Sequence, residues 1–301
     1  MDILHLHWPD VFVATARPGR AKVKLALLKA IIGFAKLRGL RVVWTAHNLK
    51  RVGQRNGPLM TRAFWPAFIA ALDGVIYLTE SSKLIASRDE PALARIASAV
   101  IPHGPYEPPP GARLGDAPTT SPILIFFGSI VPYKNAAALV KAFGELKPGT
   151  ANLWILGKMS VNNPDLDLEP ALERLPADAR AHVTYDNRFL SEDELASSVR
   201  AATLVVLPYR EVLNSGSVIY SLSARTPVLA SRLPLFDELA EVVGEDWLTT
   251  YEASLTGEIL RRALDHAEHL KRSPANPNLE PFAWPTIARQ TAVFFSSLLK
   301  R

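Results

Sequence analysis

The sequence predicts an α/β fold made of two domains, each with a parallel sheet, and three observations lead to this prediction. Short apolar runs alternate with helical patterns along the chain, as they do in parallel βαβ units. A stretch rich in proline and glycine, residues 105–122, divides the alternation into two series and is typical of an extended linker. The 301 residues, 48% of them hydrophobic, suffice for two hydrophobic cores.

The first series precedes this linker. Its apolar runs predict strands at Ile3–His7, Arg41–Trp44, Gly74–Leu78 and Ala99–Ile101. The patterns between these runs predict helices near residues 20–38, 58–72 and 81–97.

The second series follows the linker. Its predicted strands are Ile123–Phe127, Asn152–Leu156, His182–Tyr185, Thr203–Leu207, Val228–Ala230 and Trp247–Thr249. Its predicted helices are near 135–146, 191–200, 216–224 and 253–271, with a last helix at 282–299 after a proline-rich break. Two open sheets joined in this way leave a cleft, and ligands of such sheets bind beyond the carboxyl ends of the strands.

The composition narrows the class of protein. The chain has no cysteine, which excludes a disulfide framework and a thiolate metal site. No apolar stretch approaches the roughly 18 to 20 residues of a membrane span, and the N-terminus lacks the layout of a signal peptide. We therefore expect a cytoplasmic protein.

Positive charge is concentrated near the N-terminus, although the net charge is only +5. Residues 11–72 contain no Asp or Glu but twelve Lys and Arg, all of them within residues 17–62. The basic residues alternate with apolar ones over a predicted helix, which favours an anionic membrane surface as a partner. No nucleic-acid-binding motif is present, so nucleic acid is not expected. A solvated helix face is the alternative interpretation.

Two loops of the second series carry residues suited to anion binding. In "FFGSIVPYKN", Gly128 and Ser129 follow a strand and Lys134 precedes a helix. In "LPYREVLNSGS", Asn214, Ser215, Gly216 and Ser217 open a helix, where free N–H groups and the helix dipole attract anions. Together the two loops indicate a diphosphate site, although an ordinary N-cap and a surface lysine are the alternatives. Neither a P-loop nor a dinucleotide-binding glycine motif occurs.

Four histidines lie close to predicted strands of the first series. His47 and His103 each follow a strand, and either a sugar-contacting role or a core or capping role suits them. His5 and His7 share one face of the first strand, and two such histidines are able to bind a metal. Because no cysteine or carboxylate lies at ligand spacing nearby, a structural or substrate-facing role is favoured and no metal or other cofactor is expected.

Several segments, in this order along the chain, resemble motifs of the GT-B glycosyltransferases, specifically the large retaining family 4. "VVWTAHNL" and "IPHGPY" resemble its acceptor-domain signatures. "ILIFFGSIVPYKNAAALVKAF", "LVVLPYREVLNSGSVIYSLSARTPVLAS" and "FAWPTIARQ" resemble its donor domain. The resemblance covers nearly the whole chain. It implies two Rossmann-like domains facing across a cleft, with the nucleotide-sugar bound by the second.

The resemblance also implies roles for individual residues. Lys134 and the backbone of Ser215, Gly216 and Ser217 would hold the donor diphosphate, with Gly128, Ser129 and Asn214 beside them. His47 would lie by the transferred sugar, and His7, His103 and Gly104 would line the acceptor side. Glycosyl transfer then needs no metal, because fixed N–H dipoles and a lysine stabilise the departing diphosphate.

The sequence departs from the family pattern in two places. Many members carry two glutamates around the phosphate-binding turn. Glu211 stands for the first, which contacts the sugar, but Tyr220 occupies the position of the second, which contacts the ribose. The segment "DILHLHWP" resembles a strand that normally follows a complete βαβ unit, and this sequence contains no such unit before it. We therefore expect an N-terminal domain that lacks its usual first βαβ unit: either the domain is naturally reduced, or the start site was chosen late, or another chain supplies the unit.

The predicted organisation has four parts: an acceptor-side domain at 1–106, a linker at 107–121, a donor-binding domain at 122–281 and a C-terminal helix at 282–301 that crosses back to the first domain. The predicted function is the transfer of a sugar, with retention of its anomeric configuration, from a UDP- or GDP-sugar to a saccharide or polyprenyl-diphosphate-linked acceptor. The reaction would belong to exopolysaccharide or envelope glycan synthesis. The protein is expected to attach peripherally to the inner membrane face. The alternative is a non-catalytic nucleotide-sugar-binding subunit that needs a protein partner. A nucleotide-sugar epimerase ranks last, since acid and base carboxylates are not evident.

Overall fold

The computed structural model describes residues 2–14, 18–49, 59–106, 121–161 and 163–300. The fold is α/β, and the chain divides into two compact units. The first contains Met1–His103 together with Phe282–Arg301, and the second contains Gly104–Pro281. The predicted linker, apart from residue 121, lies outside the described residues.

The boundary between the units falls three residues earlier than the sequence predicts, at His103 rather than Tyr106. Tyr106 belongs to the second unit because its backbone N–H donates to Ser223 Oγ at 3.1 Å and its ring lies 5.1 Å from that of Tyr220. A local composition shift cannot reveal such contacts, since their partners lie more than a hundred residues away in the sequence.

The first unit contains a four-stranded parallel sheet whose strands lie side by side in chain order. The strands are β1 (Ile3–Leu6), β2 (Arg41–Thr45), β3 (Gly74–Tyr77) and β4 (Ala97–Val100). In the register of β1 and β2, His5 pairs with Val43. Because the four strands are parallel, their carboxyl ends all lie at one edge of the sheet. The histidines that follow β1 and β2 come together at that edge.

The helices of this unit include the three predicted ones and a short one, Pro9–Ala14, that the sequence analysis did not identify. They are α1 (Pro9–Ala14), α2 (Pro18–Leu37), a π-helical turn (Met60–Phe64) that continues into α3 (Trp65–Ala71), α4 (Glu80–Asp89) and a 3-10 turn (Leu93–Arg95). A reciprocal cap between Thr79 and Ser82 starts α4. The predicted helix at 81–97 is wrong beyond Asp89, because Pro91 cannot continue a helix and Ala97 already pairs with β3.

The second unit contains a six-stranded parallel sheet with the order β10-β9-β8-β5-β6-β7. Its strands are β5 (Ile123–Phe127), β6 (Asn152–Leu156), β7 (Val183–Asp186), β8 (Leu204–Leu207), β9 (Val228–Ser231) and β10 (Leu248–Tyr251). After β5 the chain adds β6 and β7 on one side of it and then β8, β9 and β10 on the other side, so the strand order reverses at β5. Ligands of open α/β sheets bind at such a reversal.

The helices of the second unit include three that the sequence analysis did not identify. The α-helices in the described part of this unit are α5 (Ala136–Phe143), α6 (Leu168–Glu173), α7 (Ala177–Arg180), α8 (Glu192–Ala201), α9 (Gly216–Ser223), α10 (Pro234–Val243) and α11 (Gly257–Arg272). The missed helices are α6, α7 and α10. The first two are only six and four residues long, so neither establishes a helical period.

The C-terminal helix α12 (Trp284–Leu299) belongs to the first unit. Its Phe294 and Leu298 are buried against Val43, Ile76 and Ile101 of that sheet. Glycine at position 74 permits this contact, because a Cβ there would lie 2.7 Å from Leu298 Cδ1. Among the residues that the structure describes, no helix is both long and apolar enough to cross a bilayer.

Candidate functional site

The loop after β5 brings together three of the predicted donor residues. Gly128 has φ +100°, a conformation that L-residues with a side chain rarely adopt. A Cβ at this glycine would lie 3.2 Å from Lys134 Nζ and 3.9 Å from Ser217 Oγ. The lysine and the first turn of α9 thus meet over the bare backbone of Gly128, which leaves room for a ligand to approach the main chain.

Lys134 reaches this position from a short 3-10 turn, Pro132–Lys134. The turn ends at Asn135, whose left-handed φ of 55° redirects the chain into α5. Lys134 Nζ lies 5.4 Å from the centre of the Tyr209 ring, so the aromatic face supports the ammonium group. The sequence analysis did not identify Tyr209, although it lies two residues after the end of β8 in the quoted segment "LPYREV".

The N-terminus of α9 is not capped by a side chain. Ser215 holds the N-cap position in an extended conformation, but its hydroxyl forms no capping hydrogen bond to the helix. Within the described part of the chain, Ser215 Oγ is buried without a hydrogen-bond partner. Ser215 is thus an N-cap residue by position whose side chain makes no capping hydrogen bond in the described residues. The first N–H groups of a helix have no partner within the helix, and at Gly216 and Ser217 they favour an anion.

Tyr220 takes part in an aromatic cluster beside the same helix end. Its ring lies 5.1 Å from that of Tyr106 and 5.8 Å from that of Phe127. The Tyr106 hydroxyl in turn lies 2.9 Å from where a Cβ of Gly216 would stand. The position at which the family resemblance implies a ribose-binding glutamate thus carries an aromatic group here. Tyr106 is a site residue that the sequence analysis missed, although it ends the quoted motif "IPHGPY".

The remaining predicted donor residues lie in loops at this edge of the sheet. Ser129 is exposed directly after Gly128, and Glu211 is exposed between β8 and α9. Asn214 is half-buried one residue before Ser215. Gly104 belongs to the second unit and lies two residues before Tyr106.

A second group of predicted residues, three histidines, gathers at the carboxyl edge of the first sheet. His7 Nδ1 and His47 Nε2 share a hydrogen bond of 3.0 Å. His5 Nε2 bonds to Thr45 Oγ1 at 2.8 Å, and the rings of His5 and His7 are 4.3 Å apart. We call His5, His7 and His47 the histidine cluster. It forms because β1 and β2 are parallel neighbours in register.

Aromatic residues hold the histidine cluster in place. Trp8 stacks on His47 with ring centres 4.4 Å apart and planes 15° from parallel. Phe295 of α12 contacts the His5 ring edge-on at 5.3 Å. Trp8 and Phe295 were not identified from the sequence as parts of a site, because only the folded chain places them beside the imidazoles.

The histidine cluster favours neutral imidazoles. Burial, with a smaller contribution from His7, lowers the pKa of His5 to about 4. Burial, followed by the charges that His7, His103 and His5 would carry, lowers the pKa of His47 to about 4. Burial also lowers the pKa of the more exposed His7. At neutral pH these side chains accept and donate hydrogen bonds without charge.

The described residues contain no group of three His, Asp or Glu side chains placed to hold a metal ion. The donor-side loops instead present the ammonium group of Lys134 and the N-terminus of α9, an arrangement suited to stabilising a diphosphate leaving group. The histidine cluster presents neutral imidazoles, which suit contacts with sugar hydroxyls or the transfer of a proton.

Comparison with known proteins gives matches to glycosyltransferases. Residues 121–265 match a family model described as glycosyl transferases group 1. A GDP-mannose:glycolipid 4-beta-D-mannosyltransferase of Xanthomonas campestris pv. campestris is 28% identical over 96% of this chain and 77% of its own length. An MMP alpha-(1->4)-mannosyltransferase of Mycolicibacterium hassiacum is 25% identical over 60% of this chain and 44% of its own length.

Solved structures share the fold at low identity. The sucrose-phosphate synthase of Thermosynechococcus elongatus superposes with a TM-score of 0.66 at 19% identity, over 99% of this chain and 74% of that structure. An alpha,alpha-trehalose-phosphate synthase of Burkholderia xenovorans gives a TM-score of 0.64 at 15% identity, over 90% of this chain and 70% of that structure.

Proposed function

The chain belongs to the GT-B glycosyltransferases, and on that premise we propose that it transfers a mannosyl group from GDP-mannose to a lipid-linked saccharide. The choice of mannose is supported by both curated relatives, whose names describe mannosyltransferases. The name of the Xanthomonas relative adds GDP-mannose as donor and a glycolipid as acceptor. The acceptor class includes polyprenyl-diphosphate-linked saccharides of exopolysaccharide or envelope glycan synthesis.

The proposed nucleotide-sugar site rests on one observation: the side chains of Lys134 and Ser217 both lie close to the backbone of Gly128. The β-phosphate of a departing nucleoside diphosphate gains negative charge as the glycosidic bond breaks. A lysine and the N–H groups at the start of α9 stabilise that charge when they are already in place. The proposal therefore includes no metal ion, and activity in excess chelator is an expected result.

A lipid-linked acceptor requires access to a membrane surface, and α2 presents a suitable face. Five large apolar side chains form an exposed stripe along this helix: Val23, Leu27, Ile31, Phe34 and Leu37. Their spacing of three or four residues places them on one side of the helix. The opposite side is also apolar and is buried in the core through Leu25, Leu28 and Ile32.

Basic residues flank the exposed stripe. With 100° of rotation per residue, Lys24 lies beside one edge of the stripe, whereas Lys22, Lys29 and Lys36 lie on the flank between its other edge and the buried side of the helix, where Lys36 also pairs with Asp73. Anionic lipid attracts such lysines with about 1 kcal/mol each near the surface. Apolar residues between basic borders match a helix that lies in the interface of an anionic membrane. This is the location that we propose for α2.

The anomeric configuration of the product shows whether transfer proceeds with retention or with inversion. The family 4 resemblance implies retention, whereas the names of the two curated relatives describe opposite linkages, β in one and α in the other. Transfer from GDP-α-D-mannose gives an α-mannoside on retention and a β-mannoside on inversion. Proton NMR of the isolated product distinguishes the two.

Calorimetric titration of the full chain with GDP and separately with UDP is the first test. We expect GDP to bind and UDP to bind at least tenfold more weakly. In the second test the protein is incubated with radiolabelled GDP-mannose and a synthetic polyprenyl-diphosphate-linked oligosaccharide, once with chelator and once without. The radioactivity that enters the lipid phase measures mannosyl transfer. Tighter binding of UDP would overturn the donor assignment. GDP binding with neither mannose transfer nor release would favour a non-catalytic subunit.

A further inference from the structure

We propose that a groove between α2 and α3 binds the isoprenoid chain of the lipid-linked acceptor, and that Lys22 and Lys29 bind the diphosphate at the head of that chain. The site presupposes the proposed transfer to a lipid-linked saccharide and deepens it, because it assigns the place where the lipid is held. All of its residues belong to the first unit.

The groove lies between two helices that pack in the same core. Its volume is about 340 Å³, near the lower end of the range of about 300 to 1,000 Å³ for ligand pockets. Buried apolar side chains line it, among them Ile32 of α2, Phe64 of the π-helical turn and Phe68 of α3. Because apolar walls offer water no hydrogen bonds, such a groove takes up hydrocarbon in preference to water.

Small residues keep the groove open to the outside. Gly33 lies on α2, and Ala67 and Ala70 lie on α3. Glycine destabilises the middle of a helix relative to alanine, and no atom of the described residues lies within 4 Å of the Cβ position of Gly33. Protein packing therefore does not require this glycine, whereas the close approach of a ligand to the helix backbone does.

The groove opens beside the exposed apolar stripe of α2. With 100° of rotation per residue, Gly33 lies about 40° around the helix from Leu37, which belongs to the stripe. A helix that rests on a membrane through this stripe also turns the mouth of the groove towards the bilayer. A lipid chain then enters the groove from the bilayer without crossing water.

The lysines beside the groove differ in their partners. Lys36 is paired with Asp73, with Nζ and Oδ2 2.5 Å apart. Lys29 lines the groove, and Lys22 lies two turns before it on the same flank. Neither has an ion-pair partner among the described residues, and residues 11–72 contain no Asp or Glu. The uncompensated positive charge therefore lies at the end of the groove nearer the N-terminus of α2, where it attracts a diphosphate.

The direction of α2 determines where the saccharide lies. Because β1 and β2 are parallel, α2 runs between them from the carboxyl edge of the sheet to the amino edge. Asp73 directly precedes β3, which places its partner Lys36 at the amino edge. Lys22 lies about 21 Å along the helix axis towards the carboxyl edge. A lipid with its chain in the groove and its diphosphate on Lys22 and Lys29 therefore directs its saccharide to the edge that carries the histidine cluster, where ligands of such sheets bind.

The size and charge of the site favour a polyprenyl diphosphate over a membrane phospholipid. A groove of this volume admits part of one hydrocarbon chain. A polyprenyl diphosphate has a single chain, whereas a phospholipid has two. A diphosphate also carries more negative charge than a phosphodiester, and two ammonium groups without partners match it better.

The test uses farnesyl diphosphate, a soluble lipid diphosphate with a short isoprenoid chain. Calorimetric titration of the full chain, without vesicles and in excess GDP to fill the donor site, gives its affinity. We expect farnesyl diphosphate to bind at least about tenfold more tightly than inorganic diphosphate, because its hydrocarbon leaves water. Equal affinities would overturn the proposal, since the chain would then contribute nothing.

Gly33→Leu fills the groove and should weaken farnesyl diphosphate binding at least about tenfold. Gly19→Leu is the matched control, because Gly19 lies on the same helix outside the groove and nothing lies within 4 Å of its Cβ position. Leucine favours a helix more than glycine does, so circular dichroism should show both variants folded. Wild-type affinity in Gly33→Leu would overturn the proposal. If that variant does not fold, the wild-type comparison with inorganic diphosphate decides.

Lys29→Gln should weaken binding about 3- to 10-fold at low salt, through the loss of one exposed charge next to the diphosphate. Lys24→Gln makes the same change beside the other edge of the stripe and should bind as the wild type does. Equal affinities of these two variants would overturn the position that we assign to the diphosphate.

Two comparisons identify the source of the chain and separate the site from the proposed function. Lysophosphatidylglycerol has one acyl chain and a phosphodiester; if it binds as tightly as farnesyl diphosphate and is equally sensitive to Gly33→Leu, the groove holds a membrane phospholipid and the acceptor assignment is wrong. Titration of the wild type with GDP alone tests the donor site in the second unit. GDP binding without farnesyl diphosphate binding overturns the groove alone, whereas the reverse result contradicts the donor assignment alone.

Discussion

Gly157 and Gly128 pack main chain against main chain: a Cβ at Gly157 would lie 2.0 Å from the carbonyl oxygen of Gly128. Gly157 follows β6 with φ +145°, and Gly128 follows β5 with φ +100°. The loop that we assign to the donor diphosphate is therefore shaped by its contact with Gly157, a residue that the sequence analysis did not assign to the donor site.

Gly157→Ala should consequently damage both stability and donor binding. We expect a loss of at least about 2 kcal/mol in the free energy of unfolding, because backbone strain and a clash with main-chain atoms add together. Displacement of Gly128 should also weaken GDP binding. Urea unfolding and calorimetric titration measure the two effects.

Gly149→Ala is the control for this substitution. Gly149 also has a positive φ, +81°, but nothing lies within 4 Å of its Cβ position. Its loss should be about 1 kcal/mol, from backbone strain alone, with unchanged GDP affinity. Equal effects of the two substitutions would contradict the role that we assign to the close contact.

Lys134→Ala should weaken binding of GDP. The loss of a charged hydrogen bond is expected to cost about 1.5 to 3 kcal/mol, which raises Kd by about 10- to 150-fold. Lys147→Ala removes an exposed lysine of the same unit and controls for the change in net charge. An unaltered GDP affinity in the Lys134 variant would remove this residue from the donor site.

Membrane binding should depend on the exposed stripe of α2. The variant Leu27→Gln/Phe34→Gln is expected to lose most binding to vesicles of phosphatidylglycerol and phosphatidylcholine, because both apolar side chains become polar at the interface. Sedimentation of protein with vesicles measures the bound fraction.

The controls for membrane binding separate apolar from electrostatic contributions. Leu84→Gln/Val293→Gln alters exposed apolar residues elsewhere in the first unit and should bind as the wild type does. Lys22→Ala/Lys29→Ala should weaken binding at low salt and have little effect at high salt, where the charges are screened. Wild-type protein that stays unbound at low salt would refute the membrane part of the proposal.

The C-terminal helix should stabilise the first unit. Leu298 is 3% exposed and lies over Gly74, so Leu298→Ala should cost about 2 to 5 kcal/mol of unfolding free energy. Val293, 65% exposed on the same helix, supplies the control Val293→Ala, for which we expect little change. Similar denaturation midpoints for the two variants would show that α12 adds no stability to this unit.

Stability of the first unit should fall in mild acid. The pKa of His5 is about 4 in the folded chain, below its ordinary value of 6.5. Between these two values the unfolded chain binds more protons, so the free energy of unfolding decreases as the pH falls from 6.5 towards 4.

His5→Gln should reduce this acid sensitivity, since glutamine keeps a polar atom near Thr45 Oγ1 but does not titrate. Urea unfolding at several pH values gives the slopes. His269→Gln, which replaces an exposed histidine of α11 in the second unit, is the control. A wild-type slope in the His5 variant would mean that another group titrates in this range.

The sequence by itself determined the strands, because each strand is a local apolar run. All ten predicted strands are present, and Ile123–Phe127 and Asn152–Leu156 have the predicted bounds. The loops after β5 and before α9 were also recognisable as candidate sites, since glycine, serine and lysine after a strand carry a local chemical signal; anion binding there stays a prediction. Helices α6 and α7 were missed because they are too short for a helical period to appear.

Tertiary structure decided which residues meet. The sequence places His5 and His7 on one face of β1, but only the parallel pairing of β1 with β2 brings His47 to His7. The sequence also shows that α2 is apolar, but not which of its apolar sides is buried, and packing in the first core leaves Phe34 exposed. Periodicity is a local property, whereas the lateral order of strands and the choice of the buried face depend on contacts between residues far apart in the chain.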